Sequence, residues 1–119
     1  MRLSNEGLSA LMLCFLTGSA VADTPPTIAI PATATPAVVT TKTTALSVLG
    51  ADDLGETKLV YTWSTVGAPP ATPTYNRNGN NAAKSVTATF NASGNYTFQV
   101  AIKDNAGQAV TSSVPVVVQ

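Results

Sequence analysis

Histidine is absent from this chain of 119 residues, and cysteine occurs once, at Cys14. Histidine is the usual general base for serine and cysteine nucleophiles, and zinc sites are built mainly from cysteine and histidine. These absences argue against nucleophilic hydrolysis and against a zinc centre. A catalytic pair of carboxylates is the alternative, but the acidic residues lie among turn formers, where exposed turn carboxylates are the commoner explanation. We therefore predict that the chain is not an enzyme.

Charged residues are also scarce: six are basic, six are acidic, and together they make up 10% of the chain. Nucleic acids and anionic membrane surfaces attract basic patches, so we expect no nucleic-acid partner. The polar positions are instead rich in threonine, serine and asparagine. Threonine is β-branched and polar, which suits the outward face of a strand.

Long apolar runs are missing except near the start of the chain. There, Arg2 precedes a mostly apolar stretch from Leu8 to Leu16, and Ala20-Val21-Ala22 has the small residues of a signal-peptidase site. We predict a signal peptide over residues 1–22, cleaved before Asp23, and hence a secreted or cell-surface location. The apolar stretch is shorter than the roughly 20 residues of a membrane-spanning helix, so no stable membrane span is expected.

A lipoprotein signal is the alternative, because Leu11-Met12-Leu13-Cys14 is similar to a lipobox. If cleavage occurs before Asp23, the mature chain has no cysteine. Small exported domains often depend on disulfides, so this one must depend on its core. A length of about 100 residues is normal for an immunoglobulin-type sandwich.

Apolar and polar residues alternate strictly in the last quarter of the chain. The alternation runs from Tyr96 to Ile102 and resumes after the turn Asp104-Asn105-Ala106-Gly107. A period of two places one set of side chains on a buried face, so this segment is predicted to be a β-hairpin laid over a core. The same pattern occurs in earlier stretches, and the predicted core comprises Leu46, Val48, Tyr61, Trp63, Phe90, Tyr96, Phe98, Val100 and Ile102.

About seven short strands separated by turns, with no helical periodicity outside the signal, predict an all-β, immunoglobulin-like Greek-key β-sandwich. The sandwich is expected to span residues 43–119. Residues 23–42 contain four prolines, which fix the backbone and remove hydrogen-bond donors. They are predicted to form a Pro/Thr-rich lead-in with an edge strand at most. Pro115 interrupts the last strand, which is therefore expected at a sheet edge or at a bulge.

Four stretches within residues 43–118 carry a family resemblance. They are Leu46-Ser47-Val48, Val60-Tyr61-Thr62-Trp63-Ser64, residues 88–100 with the rhythm Gly-x-Tyr-x-Phe-x-Val, and Lys103-Asp104-Asn105-Ala106-Gly107. Together they resemble the bacterial extracellular immunoglobulin-like domains of the PKD and cadherin-like type, which are often strung in arrays in secreted enzymes and surface proteins. The resemblance implies a tyrosine corner at Tyr96, whose hydroxyl would bond the backbone a few residues upstream.

A calcium site is the most specific chemical hypothesis. In an immunoglobulin-like topology the B-C and F-G loops lie at the same end of the sandwich, which would bring together Asp52, Asp53, Glu56, Asp104 and Asn105. Calcium takes about six to eight oxygen ligands from carboxylates, amides and carbonyls. The same residue types are favoured in turns for local reasons, so a purely structural role is the alternative. Calcium is the one cofactor that the sequence brings into consideration.

Tyr75 and Arg77 are the residues predicted to bind a ligand. Both lie in a polar stretch after a proline-rich segment, in the loop 67–81, and Tyr75 is predicted to be the only aromatic free to stack on a sugar. The other tyrosines and Trp63 fall on core-facing positions. Two acceptor patterns for N-linked glycans, at Asn91 and Asn95, would matter only in a host with that pathway.

Function is predicted as a non-catalytic secreted or cell-surface module that acts as a spacer, in adhesion or in protein interaction. Its partners would be other extracellular domains or proteins. The alternative is a carbohydrate-binding or accessory module of a secreted hydrolase, with polysaccharide as partner and calcium as a stabilising ion.

Overall fold

The computed structural model describes residues 24–119, so the predicted signal peptide over residues 1–22 and the alternative lipobox at Cys14 lie outside the described residues. Two short 3₁₀ helices, Glu56–Lys58 and Asn81–Lys84, are the only helical elements of residues 24–119. The rest of this part is built on eight strands: β1 Thr27–Thr35, β2 Val38–Val39, β3 Thr43–Ala51, β4 Val60–Val66, β5 Thr74–Tyr75, β6 Ser85–Thr89, β7 Gly94–Lys103 and β8 Ala109–Val118.

The strands form two four-stranded sheets, with orders β1-β3-β6-β5 and β2-β8-β7-β4. All pairs are antiparallel except β2 with β8, which is parallel. The chain changes sheet after each of the first four strands and again after β6, as in a Greek-key sandwich. The predicted all-β immunoglobulin-like class is confirmed. The strand count is eight rather than about seven, because two of the strands have only two residues each.

The core lies between the inner faces of the two sheets. The nine residues that the alternation assigns to it are buried, none of them more than 4% exposed. The indole N–H of Trp63 donates to the carbonyl of Ala83 at 2.7 Å, so the buried ring leaves no donor unpaired. The hydroxyl of Tyr96 donates to the carbonyl of Ala92 at 2.7 Å, four residues upstream, which is the bond that the family resemblance implies.

The proline-rich lead-in is shorter than predicted, because both β1 and β2 belong to the sheets. β1 is an edge strand, but it has nine residues and pairs with β3 from Thr27↔Ala51 to Thr35↔Ala45. Register shifts on both sides of Ile30 interrupt the period-two pattern, so the full strand cannot be seen in the sequence. The sandwich therefore begins at Thr27 and not at residue 43.

Pro115 lies inside β8 without a bulge, since the register with β7 is continuous through Thr97↔Pro115. The N–H groups of Val117 and Gln119 donate outward, to carbonyls of the β2 segment. Pro115 is two residues before Val117 in β8, so its nitrogen points toward the same side of the strand, just beyond the end of β2. Proline is tolerated there because that position needs no donor.

The two ends of the sandwich are defined by the connections that lie there. The β3–β4 end carries the β3–β4 connection and the β7–β8 turn, because Val60 pairs with Lys103 and Lys103 pairs with Ala109. The β6–β7 end carries the β2–β3 and β6–β7 connections and the last residues of β8, because Thr43 pairs with Thr89 and Gly94 pairs with Val118.

Candidate functional site

The β3–β4 end holds the residues of the calcium hypothesis, and the two loops lie at the same end as expected. Asp104 is buried, and its Oδ1 accepts hydrogen bonds from the backbone N–H groups of Ala106 and Gln108 at 2.9 Å each. Asp52 accepts the N–H of Leu54 through Oδ2 at 3.1 Å, and its Oδ1 is buried without a hydrogen-bond partner. These carboxylates organise their own turns, as the structural alternative predicts.

Glu56 bonds side chains from two other elements at this end, β4 and the 3₁₀ helix Asn81–Lys84. Its Oε1 lies 2.7 Å from Nζ of Lys84, and its Oε2 accepts the hydroxyl of Tyr61 at 2.9 Å. The side-chain amide of Asn81 donates to the same Oε2 at 3.1 Å and to the carbonyl oxygens of Glu56 and Leu59 at 2.9 Å each. We call Glu56, Tyr61, Asn81 and Lys84 the polar clamp.

The calcium site is therefore not assembled as predicted. Within residues 24–119 the structure contains no group of three or more aspartate, glutamate, histidine or cysteine side chains that could hold a metal ion. Asp53 and Asn105 are exposed, Asp104 faces its own turn, and Glu56 belongs to the polar clamp. The five residues share an end of the molecule, but their oxygen atoms do not converge.

Electrostatics in the polar clamp keep Glu56 ionised. Burial alone would raise the pKa of Glu56, but hydrogen bonds from Lys84, Tyr61 and Asn81, with the charge of Lys84, outweigh burial and hold the pKa below its ordinary value. Burial raises the pKa of Tyr61 to about 12, and the Glu56 carboxylate adds to that rise. The N–H of Gly50 donates to the Tyr61 hydroxyl, which links the clamp to β3.

The exposed edge of β4 is covered by the segment 78–80. The backbone of Tyr61 pairs with that of Asn80 and Gly79 at 3.1 and 2.9 Å. Next along the strand, the side-chain amide of Asn78 accepts the N–H of Trp63 at 2.7 Å and donates to the Trp63 carbonyl at 2.9 Å. Asn78 thus imitates a peptide group of a neighbouring strand and blocks a sheet edge that could otherwise pair with another chain.

Tyr75 is not the free aromatic that the sequence predicts. It is half-buried at the end of β5, and its ring packs edge-on against Phe98 at a centroid distance of 6.2 Å. Burial raises its pKa to about 12. Arg77 is exposed, and its guanidinium donates to the carbonyl of Ser85 at 2.8 Å. A flat sugar-stacking surface is therefore not formed by this pair.

The proline-rich loop 67–73 packs against the sandwich. A Cβ atom placed on Gly94 would lie 2.5 Å from Cγ of Pro70, so the proline ring rests directly on the glycine. Pro73 is buried as well. Sequence reasoning identified Gly94 only as part of the Gly-x-Tyr-x-Phe-x-Val rhythm, and the ring contact supplies a reason why glycine is needed at its start.

One shallow cavity lies at the β6–β7 end. Its volume is about 200 Å³, and its lining combines apolar Phe90 and Val118 with the polar groups of Thr41, Lys42, Asn91, Ser93 and Gln119. The two acceptor asparagines of the glycan hypothesis, Asn91 and Asn95, are both exposed. Sequence reasoning did not identify this cavity, because its wall comes from three segments that are far apart in the chain.

Comparisons with known proteins agree with this fold. A family model described as K319L-like, PKD domain matches residues 32–118. The solution structure of the PKD domain from KIAA 1837 protein superposes with a TM-score of 0.52 at 22% identity, over 86% of this chain and 92% of that domain. A nucleoside hydrolase-related hypothetical protein from Saccharophagus degradans, associated with carbohydrate metabolism, gives a TM-score of 0.59 at 18% identity.

The match to the Saccharophagus degradans protein covers 82% of this chain but 26% of that one, so the shared fold is a small part of the larger protein. No curated protein matches the chain at a significant level. Within residues 24–119 no helix has the length and apolar character needed to cross a membrane.

Proposed function

Because the chain belongs to the family of K319L-like PKD domains, we propose that it is a non-catalytic extracellular module that acts as a spacer between the segments it joins. Domains of this family are typically non-catalytic and extracellular. Adhesion and protein interaction would then use surfaces that the spacer presents. The fold alone supports many roles, so the proposal rests on how the chain is routed through this structure.

The single observation that carries the proposal is the position of the two chain ends of the sandwich. The polypeptide enters it at Thr27, which pairs with Ala51 at the β3–β4 end, and leaves it at Val118, which pairs with Gly94 at the β6–β7 end. The ten residues of β7 span the sandwich between these ends. At roughly 3.3 Å per residue the module separates its neighbours by about 33 Å.

The same routing protects the module against force. Tension on the two ends pulls β1 and the adjoining β2 toward the β3–β4 end, and pulls β8 in the opposite direction. The parallel pair of β2 with β8 is held by Val117 N–H to the Ala37 carbonyl at 2.9 Å and Gln119 N–H to the Val39 carbonyl at 2.8 Å. Both hydrogen bonds are perpendicular to the pulling direction. The two strands must therefore slide past each other, and both bonds break together rather than one after the other.

Single-molecule pulling between Thr24 and Gln119 tests the spacer. We expect one cooperative unfolding event, and we expect Val117→Pro to lower the unfolding force, because proline removes the N–H that donates to Ala37. Ser113→Pro is the matched control. Ser113 is exposed and lies two residues before Pro115 in β8, so its N–H points to the same side of the strand as the nitrogen of Pro115. A proline is already tolerated on that side.

A module that extends gradually at low force, or a Val117→Pro variant that resists force as well as the Ser113→Pro variant does, would contradict the spacer proposal. Equilibrium stability of both variants is measured in urea alongside, so that a general loss of stability can be separated from a loss of resistance along this axis.

A second proposal is an accessory module of a larger secreted enzyme. It is supported by the Saccharophagus degradans protein, in which a domain of similar fold accounts for about a quarter of the chain. Co-sedimentation with insoluble polysaccharides tests the carbohydrate-binding form of this proposal. Binding that survives Tyr75→Ala would place the ligand surface away from the residue that the sequence first suggested.

A further inference from the structure

We propose that copies of this domain dock end to end, with the turn at Asp53 and Leu54 of one copy seated in the cavity at the β6–β7 end of the next. The proposal deepens the spacer function and rests on it: docked ends would make a row of modules stiff. Asp53 and Leu54 lie at the β3–β4 end, so donor and acceptor surfaces are at opposite ends of the same molecule.

The donor surface is a rigid turn with an exposed apolar corner. The N–H of Gly55 donates to the Asp52 carbonyl at 3.1 Å, which makes Asp53 and Leu54 the two corner residues of the turn. The Asp52 carboxylate also accepts the Leu54 N–H. Leu54 is 55% exposed, the largest exposed fraction among the large apolar side chains of residues 24–119.

The acceptor surface has matching size and charge. Its volume of about 200 Å³ is below the roughly 300–1,000 Å³ of pockets that hold small-molecule ligands, and it suits one inserted side chain. Phe90 and Val118 supply apolar contacts, and Lys42 supplies the one charged side chain of the lining. Lys42 is exposed and forms no ion pair in the part of the chain that the structure describes. It can therefore face Asp53 of the incoming turn.

Such a contact joins two different surfaces, so it does not close on itself and extends into rows. One inserted leucine and one exposed ion pair make a weak contact between free molecules, because association also loses translational and rotational freedom. Modules joined within one chain, however, meet at an effective concentration on the order of millimolar. The association of free copies must therefore be measured near that concentration.

Sedimentation equilibrium of the purified chain from micromolar to millimolar concentration tests the proposal. We expect the average mass to rise beyond that of a dimer, and Leu54→Ser and Lys42→Glu each to weaken association at least tenfold. An equimolar mixture of these two variants should associate again but stop at dimers, because the intact turn of the Lys42→Glu molecule fits the intact cavity of the Leu54→Ser molecule. Ile30→Ser, at an apolar residue that is 53% exposed on β1, is the control and should behave like the parent chain.

A chain that stays monomeric at millimolar concentration would overturn the proposal, and so would a mixture of the two variants that fails to associate. Association that stops at dimers in the parent chain and survives Leu54→Ser would indicate a different surface, such as the exposed pair Val38 and Val117. None of these outcomes alters the pulling experiment on single molecules, so the spacer proposal and the docking proposal can fail independently.

Discussion

Substituting Gly94 with alanine should destabilise this domain more than any other glycine-to-alanine change at a turn of positive φ. Gly94 has a φ of +134°, a conformation that side chains disfavour, and its missing Cβ leaves the space that the Pro70 ring occupies. Backbone strain of this kind costs about 1–3 kcal/mol, and forced overpacking costs about 1–3 kcal/mol. We expect a loss of about 3 kcal/mol, which corresponds to roughly 12–24 °C in Tm for a domain of this size.

The assay is urea and thermal unfolding, followed by the fluorescence of Trp63 and by circular dichroism. Gly107→Ala is the matched control: its φ is +85°, but no atom lies within 4 Å of the added Cβ. That variant should lose only the strain, about 1 kcal/mol. The difference between the two variants isolates the contact with Pro70.

A double-mutant cycle with Pro70→Ala tests the cause. Alanine at position 70 removes the ring that the new Cβ would strike, so the double variant should be more stable than the sum of the two single changes predicts, by about 1–2 kcal/mol. If Gly94→Ala costs no more than Gly107→Ala, or if the cycle shows additivity, the account of the loop 67–73 as a packed part of the sandwich is wrong.

Two further predictions concern the edge of β4 and the alkaline stability. Asn78→Ala should destabilise the domain by about 1–2 kcal/mol in urea unfolding, because it removes both hydrogen bonds to the Trp63 backbone. Asn105→Ala, at an exposed turn residue, is the control and should be nearly neutral. Equal effects of the two substitutions would contradict the role of Asn78 in covering the β4 edge. Burial raises the pKa of Tyr75 to about 12 from a usual 10, so the folded state holds its proton more tightly, and Tyr75 should contribute stability that is present below pH 10 and lost between about pH 10 and 12. The pKa of Tyr61 is also raised to about 12, so Tyr75→Phe should reduce the decline in melts taken across this window without abolishing it. An unchanged slope would contradict the contribution of Tyr75.

The alternation of apolar and polar side chains was sufficient to predict the sandwich and its core. Alternate residues of a strand face opposite sides of the sheet, so the buried positions can be identified directly from the sequence. This inference failed at β1, where register shifts beside Ile30 break the alternation. It also treated prolines as barriers to pairing. Pro31 is tolerated because β1 is an edge strand, and Pro115 is tolerated inside β8 because it lies just beyond the end of the short β2, where no donor is needed.

The candidate sites were less predictable because they depend on contacts between distant residues. Glu56 was grouped with the nearby aspartates for calcium, yet its partner Lys84 lies 28 residues away. Tyr75 stands in a polar stretch, and only the path of the chain brings its ring onto Phe98. Asn78 and Asn81 fall in the predicted loop 67–81. In a sequence, an asparagine whose amide bonds the backbone of a distant segment cannot be distinguished from an asparagine in an ordinary turn.

These contacts assign different roles to the sides and the ends of the domain. The β4 edge is closed by Asn78 and by the segment after it, so strand addition there is blocked. The outward positions of the paired strands are mostly threonine, serine and other small uncharged residues, which offer little to select a charged partner. The acidic residues of the described chain all lie at the β3–β4 end, together with Lys58, Lys84 and Lys103, and Lys42 lies at the other end. Charged side chains are therefore concentrated at the two ends where the chain enters and leaves the sandwich, and these are the surfaces that the spacer and docking proposals use.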